Sequence, residues 1–252
     1  MPAIRRRYYM NDRAVQDDII RYLADATVRT HTPDSAPISA GMAGKASQFA
    51  HFLARRYYRD RLARSFRNSR GLRAQTGRSA EEAADLPEFD QFLHTCVLGS
   101  LASAQRVGKM ACAHLTANGP GPWWPELIEY EHAYFLQAAT AEQRTSAVDR
   151  PWPSVSAVCR KFAWALPQML PRLRAGGLIG DDLQHEATLL FSRTQAGRIY
   201  VVEVEPELER VFRSTDGRRT ADQIAEAAGI PAEQAGAMLV SLASIGAVQF
   251  PI

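Results

Sequence analysis

Residues 197–248 decide the fold, and they read GRIYVVEVEPELERVFRSTDGRRTADQIAEAAGIPAEQAGAMLVSLASIGAV. The apolar run 198–204 predicts a β-strand, because β-branched and aromatic residues dominate it. Residues 186–194, just upstream, predict its partner, since the connection through Gly197 is short and typical of a hairpin. The stretch therefore begins with an antiparallel pair of strands.

Three helical segments follow the hairpin, and residues that start or stop helices bound each one. They run from Pro206 to Asp216-Gly217, from Thr220 to Gly229, and from Pro231 to Gly246. Gln223 completes a capping box with Thr220 at the start of the second helix. A last apolar segment, 247–252, predicts a further strand. Strands, three helices and a final strand follow each other in the order of a winged helix.

The N-terminal part of the chain predicts helices only. A short helix at 13–26 and a loop at 27–47 precede longer helices starting at Ser47, over 87–118 and over 126–141. The helix from Ser47 is predicted to expose arginines on one face and to bury the other. The predicted buried face consists of Phe49, Phe52, Leu53, Tyr57, Leu62 and Phe66.

These patterns predict an α+β protein of two domains. An all-helical domain takes residues 1–150, and a winged-helix-like domain with a small antiparallel sheet and three helices takes residues 151–252. The charged segment 142–153, which ends in Pro-Trp-Pro, is predicted to link them. With 252 residues, of which 46% are hydrophobic and 23% charged, the chain is sufficient for two ordinary cores.

Composition and charge exclude several classes of protein. The formal net charge of +3 comes without a polybasic tail, so it does not indicate nucleic-acid binding. Asp12 and Asp17 fall where a signal peptide needs its apolar stretch, and no window predicts a membrane span. Cys96, Cys112 and Cys159 are widely spaced and form no CxxC, so small buried thiols are expected rather than disulfides. We therefore expect a cytoplasmic protein.

No motif in the sequence predicts a catalytic or metal site. Glu129, Glu131 and His132 come nearest to a metal-ligand spacing, but surface or capping roles account for them better. The glycine-rich segment 176–180 is followed by two aspartates, which would repel a bound phosphate. We therefore predict no catalytic residue and no cofactor or metal ligand in this chain.

The C-terminal run resembles the PqqD-like recognition elements of RiPP biosynthesis, which bind the leader of a ribosomally made precursor peptide. In that family a strand, a helix ending in Asp-Gly, an Arg-Thr helix and a final helix form the leader groove. The matching positions here are Asp216, Gly217, Arg219, Thr220, Ile224, Leu239, Leu242 and Gly246.

The resemblance implies that a leader peptide adds as a strand beside 198–204 and rests against the last helix. The leader-binding residues it implies are Arg198, Ile199, Tyr200, Val201, Val202, Glu233, Ala237 and Val240. An acidic leader would be favoured by nearby arginines, for which a role as solvated surface residues is the alternative. These arginines are Arg193, Arg198, Arg210, Arg213, Arg218 and Arg219.

Residues 122–138, PWWPELIEYEHAYFLQA, resemble the P-x-L-x-x-x-E helix of a second family. This family comprises the partner subunits of DUF692 iron enzymes, of the HvfC, MbnC and TglI type. The resemblance implies a heterodimer in which the DUF692-type enzyme holds a multinuclear iron site and this chain recruits the precursor peptide. The C-terminal Cys of the peptide would then be modified, as in the β-carbon excision of the 3-thiaglutamate pathway.

Docking to such an enzyme is expected from the aromatic side chains of the N-terminal domain, because aromatic residues anchor protein interfaces. The residues expected to dock are Trp123, Trp124, Tyr130 and Tyr134. For Trp124 and Tyr134, packing in the core is an equally good explanation.

Two other functions stay open at this point. The winged-helix order also fits a DNA-binding regulator whose helical domain binds a ligand or dimerises. Its last helix, however, contains no Lys or Arg between Glu233 and Val240, whereas a recognition helix needs cations for phosphates. An enzyme acting alone is the second rival, and it would need a metal or cofactor for which the sequence offers no motif.

Overall fold

The computed structural model describes residues 40–117, 119–141 and 150–249, with side chains from Gln48 onward. A mixed α+β architecture with a small antiparallel sheet is confirmed. The helix predicted at 13–26 lies outside the described residues, as does most of the predicted linker. Residues 40–47, predicted as the end of a loop, belong instead to the first described helix.

The described N-terminal elements are all helical. They are α1 (Ala40–Ser65), α2 (Arg67–Gly71), α3 (Arg73–Thr76), a 3₁₀ helix (Ala80–Asp85), α4 (Pro87–Leu93), α5 (Leu101–Thr116) and α6 (Trp124–Ala139). Helices α1 and α5 both pack against α6 and against the 3₁₀ helix. Helix α6, which contains the P-x-L-x-x-x-E motif, is therefore at the centre of this part of the molecule.

The buried face of α1 differs from the predicted one. It repeats every four residues through Ala50, Ala54, Tyr58 and Leu62, and it continues to Phe66 directly after the helix. Phe49 and Phe52, predicted as core, are 50% and 54% exposed. Leu62 and Phe66 are buried as predicted. The first half of the predicted face is wrong, because Ala50 and Ala54, which are small enough for neighbouring elements to approach closely, are buried there instead of Phe49 and Phe52.

The single helix predicted over 87–118 is wrong, because residues 94–100 interrupt it. Gly99 has a φ of 77°, which a helix cannot accommodate. Ser100 then starts α5 as its N-cap, with its side chain accepting a hydrogen bond from the backbone N–H of Ser103. The Gly99 carbonyl accepts a 2.7 Å hydrogen bond from Ala141, which ties this corner to the end of α6.

The C-terminal elements confirm the predicted hairpin and the three helices after it. They are β1 (Trp152–Pro153), β2 (Val158–Phe162), α7 (Leu166–Arg174), a 3₁₀ helix (Asp181–Leu183), β3 (Ala187–Arg193), β4 (Ile199–Glu203), α8 (Pro206–Ser214), α9 (Ala221–Ala228), α10 (Ala232–Ser244) and β5 (Val248–Gln249). The sheet has the order β2-β3-β4 and is antiparallel throughout. Strand β5 pairs with β1 and not with the hairpin.

The Asp-Gly pair after α8 forms a tight corner against β1. The carboxylate of Asp216 accepts hydrogen bonds from the backbone N–H groups of Arg218 and Arg219, at 2.8 and 3.0 Å. Gly217 has a φ of 75°, and the ring of Trp152 lies where a Cβ of residue 217 would be. Both residues of the pair are therefore required by the backbone turn and by the packing of Trp152.

The sheet separates two hydrophobic cores. On one face, Leu189 and Phe191 of β3 belong to the core built by the N-terminal helices. On the other face, Leu190 of the same strand belongs to the core of α8, α9 and α10. The core of the helical part thus extends across residue 150, and the division at that residue stays a prediction.

Candidate peptide-binding site

Strand β4 forms one edge of the sheet, and within the described residues it pairs on one side only, with β3. Of the residues predicted to bind a leader, Ile199, Tyr200, Val201 and Val202 lie on this strand, and Arg198 directly precedes it. All four strand residues are partly exposed, although three are aliphatic. An edge of this kind can hydrogen bond to an extended peptide through its main chain.

The hydrogen bonds at the two ends of the hairpin show which main-chain groups of β4 face outward. Thr194 donates to the carbonyl of Arg198, and Val204 donates to the carbonyl of Thr188, both at 2.9 Å. In an antiparallel pair, bonded and non-bonded positions alternate. The N–H and C=O groups of Tyr200 and Val202 therefore point to β3. Those of Ile199, Val201 and Glu203 point to the open side of the edge.

The side chains of β4 alternate between the two faces of the sheet. Val201 packs against the N-terminal core, and Val202 packs against the core of α8, α9 and α10. The guanidinium of Arg198 lies over the Tyr200 ring, 4.9 Å from its centroid. A peptide added to β4 would thus extend both faces of the sheet, next to side chains that are already half-buried.

Glu233, Ala237 and Val240, the residues predicted on the last helix, lie in α10 but not beside β4. All three are exposed, and Val240 is 58% exposed. They occupy the side of α10 opposite its buried stripe, which includes Leu239 and Leu242. The structure does not bring these three positions together with the strand.

Met238 of α10 and Ile245, directly after α10, are not among the residues predicted to bind a leader. They are partly buried and pack against the same core as Val202 of β4. The end of α10 is held to the hairpin, because Ser192 of β3 donates a 2.8 Å hydrogen bond to the Ile245 carbonyl. Counting helical turns from the buried Leu239 and Leu242 places Met238 and Ile245 on the flank of this helix.

Most of the arginines expected to attract an acidic leader have partners within the chain. Arg193 caps the end of α6, donating to the carbonyls of Gln137 and Thr140. Arg210 donates to the Ala228 carbonyl and Arg219 to that of Ser214. In addition, Arg213 forms an ion pair with Glu209 at 2.8 Å. These side chains therefore favour intramolecular roles over a shared role in leader binding.

The four aromatic residues predicted to dock a partner differ in exposure. Trp124 is 1% exposed and donates from Nε1 to the Leu115 carbonyl at 3.1 Å, and Trp123 is 7% exposed. Both therefore belong to the core of this chain, which is the alternative role considered for Trp124. Tyr130 packs its ring against Phe191 of β3, with centroids 5.3 Å apart. Tyr134 is partly exposed, so its docking role stays a prediction.

The glutamate of the P-x-L-x-x-x-E motif is Glu131, and its side chain is fully buried. Its carboxylate accepts hydrogen bonds from the backbone N–H groups of Asn68 and Ser69 and from the Asn68 side chain. Those donors belong to the first turn of α2. Burial nonetheless raises the pKa of Glu131 to about 7. The motif glutamate thus fixes α6 to the junction between α1 and α2.

Burial also shifts the pKa values of His132 on α6 and Cys112 on α5. Burial lowers the pKa of His132 to about 4, and its Nε2 has no hydrogen-bond partner among the described residues. Burial raises the pKa of Cys112 to about 12, which keeps it in the unreactive thiol form. In the part of the chain that the structure describes, no three His, Cys, Asp or Glu side chains are placed to hold a metal ion.

Comparison of the chain with models of known protein families found no matching family, and comparison with curated proteins found no similar sequence. Among the described helices, none combines the length and apolar character needed to cross a bilayer.

Proposed function

We propose that this chain is the substrate-recruiting subunit of a DUF692-type iron enzyme in RiPP biosynthesis. Its task would be to bind the leader of a precursor peptide as a strand on β4, so that the partner modifies the C-terminal Cys of the peptide. Excision of the Cys β-carbon, as in the 3-thiaglutamate pathway, is the reaction that the resemblance implies. The iron would belong to the partner subunit.

The observation that supports this proposal best is the open edge of β4. Its outward main-chain groups at Ile199, Val201 and Glu203 can bind an extended peptide regardless of sequence. The half-buried side chains on both faces of the sheet would determine which peptides bind. The hairpin and three helices also occur in the order found in the recognition elements that the C-terminal run resembles.

A DNA-binding regulator with a winged helix remains the second candidate, favoured by the same order of strands and helices. The described surface of α10 argues against it. Its exposed positions are Ala232, Glu233, Gln234, Ala237, Val240, Ser241 and Ser244, none of which is a cation. Duplex binding depends on neutralising phosphates with Lys and Arg, so this helix lacks the main source of affinity.

The proposal is tested by using the full chain as bait in a lysate of its native cell, followed by mass spectrometry and iron analysis of the bound material. We expect a DUF692-type protein that contains iron, together with a small peptide that ends near a Cys. Recovery of duplex DNA without a protein partner would overturn the proposal in favour of the regulator.

A pair of variants distinguishes specific binding of the peptide from nonspecific adhesion to the bait. Val201→Pro removes an N–H that points to the open side of β4, whereas Val201→Ala keeps that N–H and removes only part of the side chain. We expect the proline variant to lose the peptide and keep the iron protein, and the alanine variant to keep both. Equal peptide recovery by both variants would contradict binding on β4.

A further inference from the structure

An acidic cleft opens at the end of β4 where the chain turns into α8. It has a volume of about 600 Å³, and Glu203 and Glu205 line it from the strand end and the turn. Glu186 lines it from the start of β3, Glu209 from α8 and Lys161 from β2. Four carboxylates thus share this space with one ammonium group.

Three of the four carboxylates are uncompensated. Glu209 is paired with Arg213 at 2.8 Å and with Lys161 at 3.8 Å. The side chains of Glu186, Glu203 and Glu205 form neither an ion pair nor a hydrogen bond within the described residues. The cleft therefore keeps negative charge that no described group of the chain neutralises.

The opposite end of the same strand carries the opposite charge. Arg198 is exposed, and its guanidinium lies over the Tyr200 ring. Within the described residues it forms no ion pair with a carboxylate. Over the few residues of β4, the open edge thus changes from cationic at Arg198 to anionic at Glu203. Because opposite charges across an interface fix its register and orientation, such an edge distinguishes the two ends of a bound strand.

We propose that the peptide bound on β4 carries Lys or Arg at the end that lies beside Glu203, where its charge enters the acidic cleft. This inference rests on the proposed strand addition and specifies the class of peptide that fits. The carboxylates of the cleft do not form a group that could hold a metal ion within the described residues. A long basic side chain matches an open cleft of this volume better than a compact ion does.

The test uses fluorescein-labelled synthetic peptides with a core of alternating Val and Thr. Pairs of Lys, Glu or Ser are placed at the N-terminal end in one series and at the C-terminal end in the other. Binding to the full chain is measured by fluorescence anisotropy at low and high salt. In one of the two series we expect the Lys peptide to bind about fivefold more tightly than the Ser peptide, and the difference to shrink with salt.

Variants assign that preference to the cleft. Glu203→Gln together with Glu205→Gln should reduce the ratio of Ser to Lys dissociation constants to about one. Glu88→Gln together with Glu226→Gln is the matched control, because it removes two exposed carboxylates outside the cleft. The control should keep the full ratio.

The outcomes distinguish this inference from the function on which it rests. If no peptide of either series binds, including the Ser peptides, strand addition itself is overturned. If the Ser peptides bind and the Lys peptides bind no better in either series, only the charge preference is overturned. A preference that persists unchanged in the Glu203→Gln, Glu205→Gln variant also overturns the role of the cleft.

Discussion

The two edges of the three-stranded sheet differ in how they are protected. Strand β2 exposes charged residues, with Arg160 paired to Glu129 at 3.3 Å and Lys161 near Glu209. Strand β4 instead presents Ile199, Tyr200, Val201 and Val202, all partly exposed. Charged side chains are a common way for proteins to prevent unwanted pairing at a sheet edge. The comparison indicates that charged side chains disfavour the addition of a strand to β2, whereas β4 has no such protection along Ile199 to Val202.

The largest expected effect is the difference in stability between a variant that loses an inward N–H group of β4 and one that loses an outward N–H group. Val202→Pro removes a hydrogen bond to β3 and should lower the free energy of unfolding by about 3 kcal/mol. Val201→Pro removes an outward N–H and should cost less than half of that, while lowering peptide affinity at least tenfold. Chemical denaturation and peptide anisotropy measure the two effects. Equal destabilisation by both variants would contradict the assigned register.

The next effect concerns α6, which packs against one face of the three-stranded sheet. The pKa of Glu131 is about 7 in the folded chain and about 4.3 when unfolded, so the folded state binds more protons between these values. Its contribution to stability is therefore lost as the pH rises through this window, by roughly 4 kcal/mol at most. His132, with a folded pKa of about 4, acts in the opposite direction below pH 6.5 or so.

Glu131→Gln should therefore reveal the contribution of His132 alone. We expect the stability of this variant to rise with pH between about 4 and 6.5 and then to level off. Glu129→Gln, an exposed neighbour on the same helix, serves as the control and should keep the pH dependence of the unaltered chain. Thermal unfolding across this pH range provides the measurement. Identical pH profiles for both variants would rule out Glu131 as the group that lowers the stability as the pH rises.

A smaller effect is expected where β2 ends. The Glu126 carboxylate of α6 accepts hydrogen bonds from the backbone N–H groups of Ala163 and Trp164, both at 3.0 Å. Glu126→Ala should lower the free energy of unfolding by about 1–2 kcal/mol, because the two donors lose a charged acceptor. Amide hydrogen exchange at residues 163 and 164 should speed up, whereas exchange along β4 should not change. Faster exchange on β4 would mean that the edges are not independent.

The smallest change in stability is expected from removing the charges that guard β2. Arg160→Val with Lys161→Thr breaks two ion pairs whose cations are exposed, and these pairs together contribute less than about 1 kcal/mol. The result of interest is association, since the variant has two apolar edges and should form concentration-dependent dimers or larger species. Sedimentation velocity detects them. A variant that stays monomeric at high concentration would show that charge does not guard this edge.

Local signals in the sequence predicted the C-terminal part well. Thr220 with Gln223, Gly229 and Pro231 mark helix ends by their own chemistry. In the structure α9 lies between Thr220 and Gly229, and α10 begins directly after Pro231. The N-terminal part depended on packing between distant residues. The buried face of α1 depends on which neighbouring elements can approach Ala50 and Ala54. The break at Gly99 combines local signals, the positive φ of Gly99 and the Ser100 N-cap, with a hydrogen bond from Ala141.

The candidate site divides in the same way. The hairpin predicted that 198–204 forms a strand, but which groups of β4 face outward depends on the register with β3. Which side of α10 faces the sheet depends on its buried stripe, and Glu233, Ala237 and Val240 lie on the opposite side. For Glu131 the resemblance supplied a motif but no partner, since Asn68 and Ser69 lie more than sixty residues away in the chain.

Strand β3 gives alternate side chains to two cores, and this has a consequence for how the protein can be divided. A fragment cut before residue 151 would leave Leu189 and Phe191 facing water, while the separated helices would lose the sheet against which Tyr130 rests. We expect the full chain to melt in one cooperative transition and the isolated C-terminal fragment to aggregate or bind hydrophobic dyes. A peptide that stiffens β4 would then also slow amide exchange in α6, on the far side of the sheet.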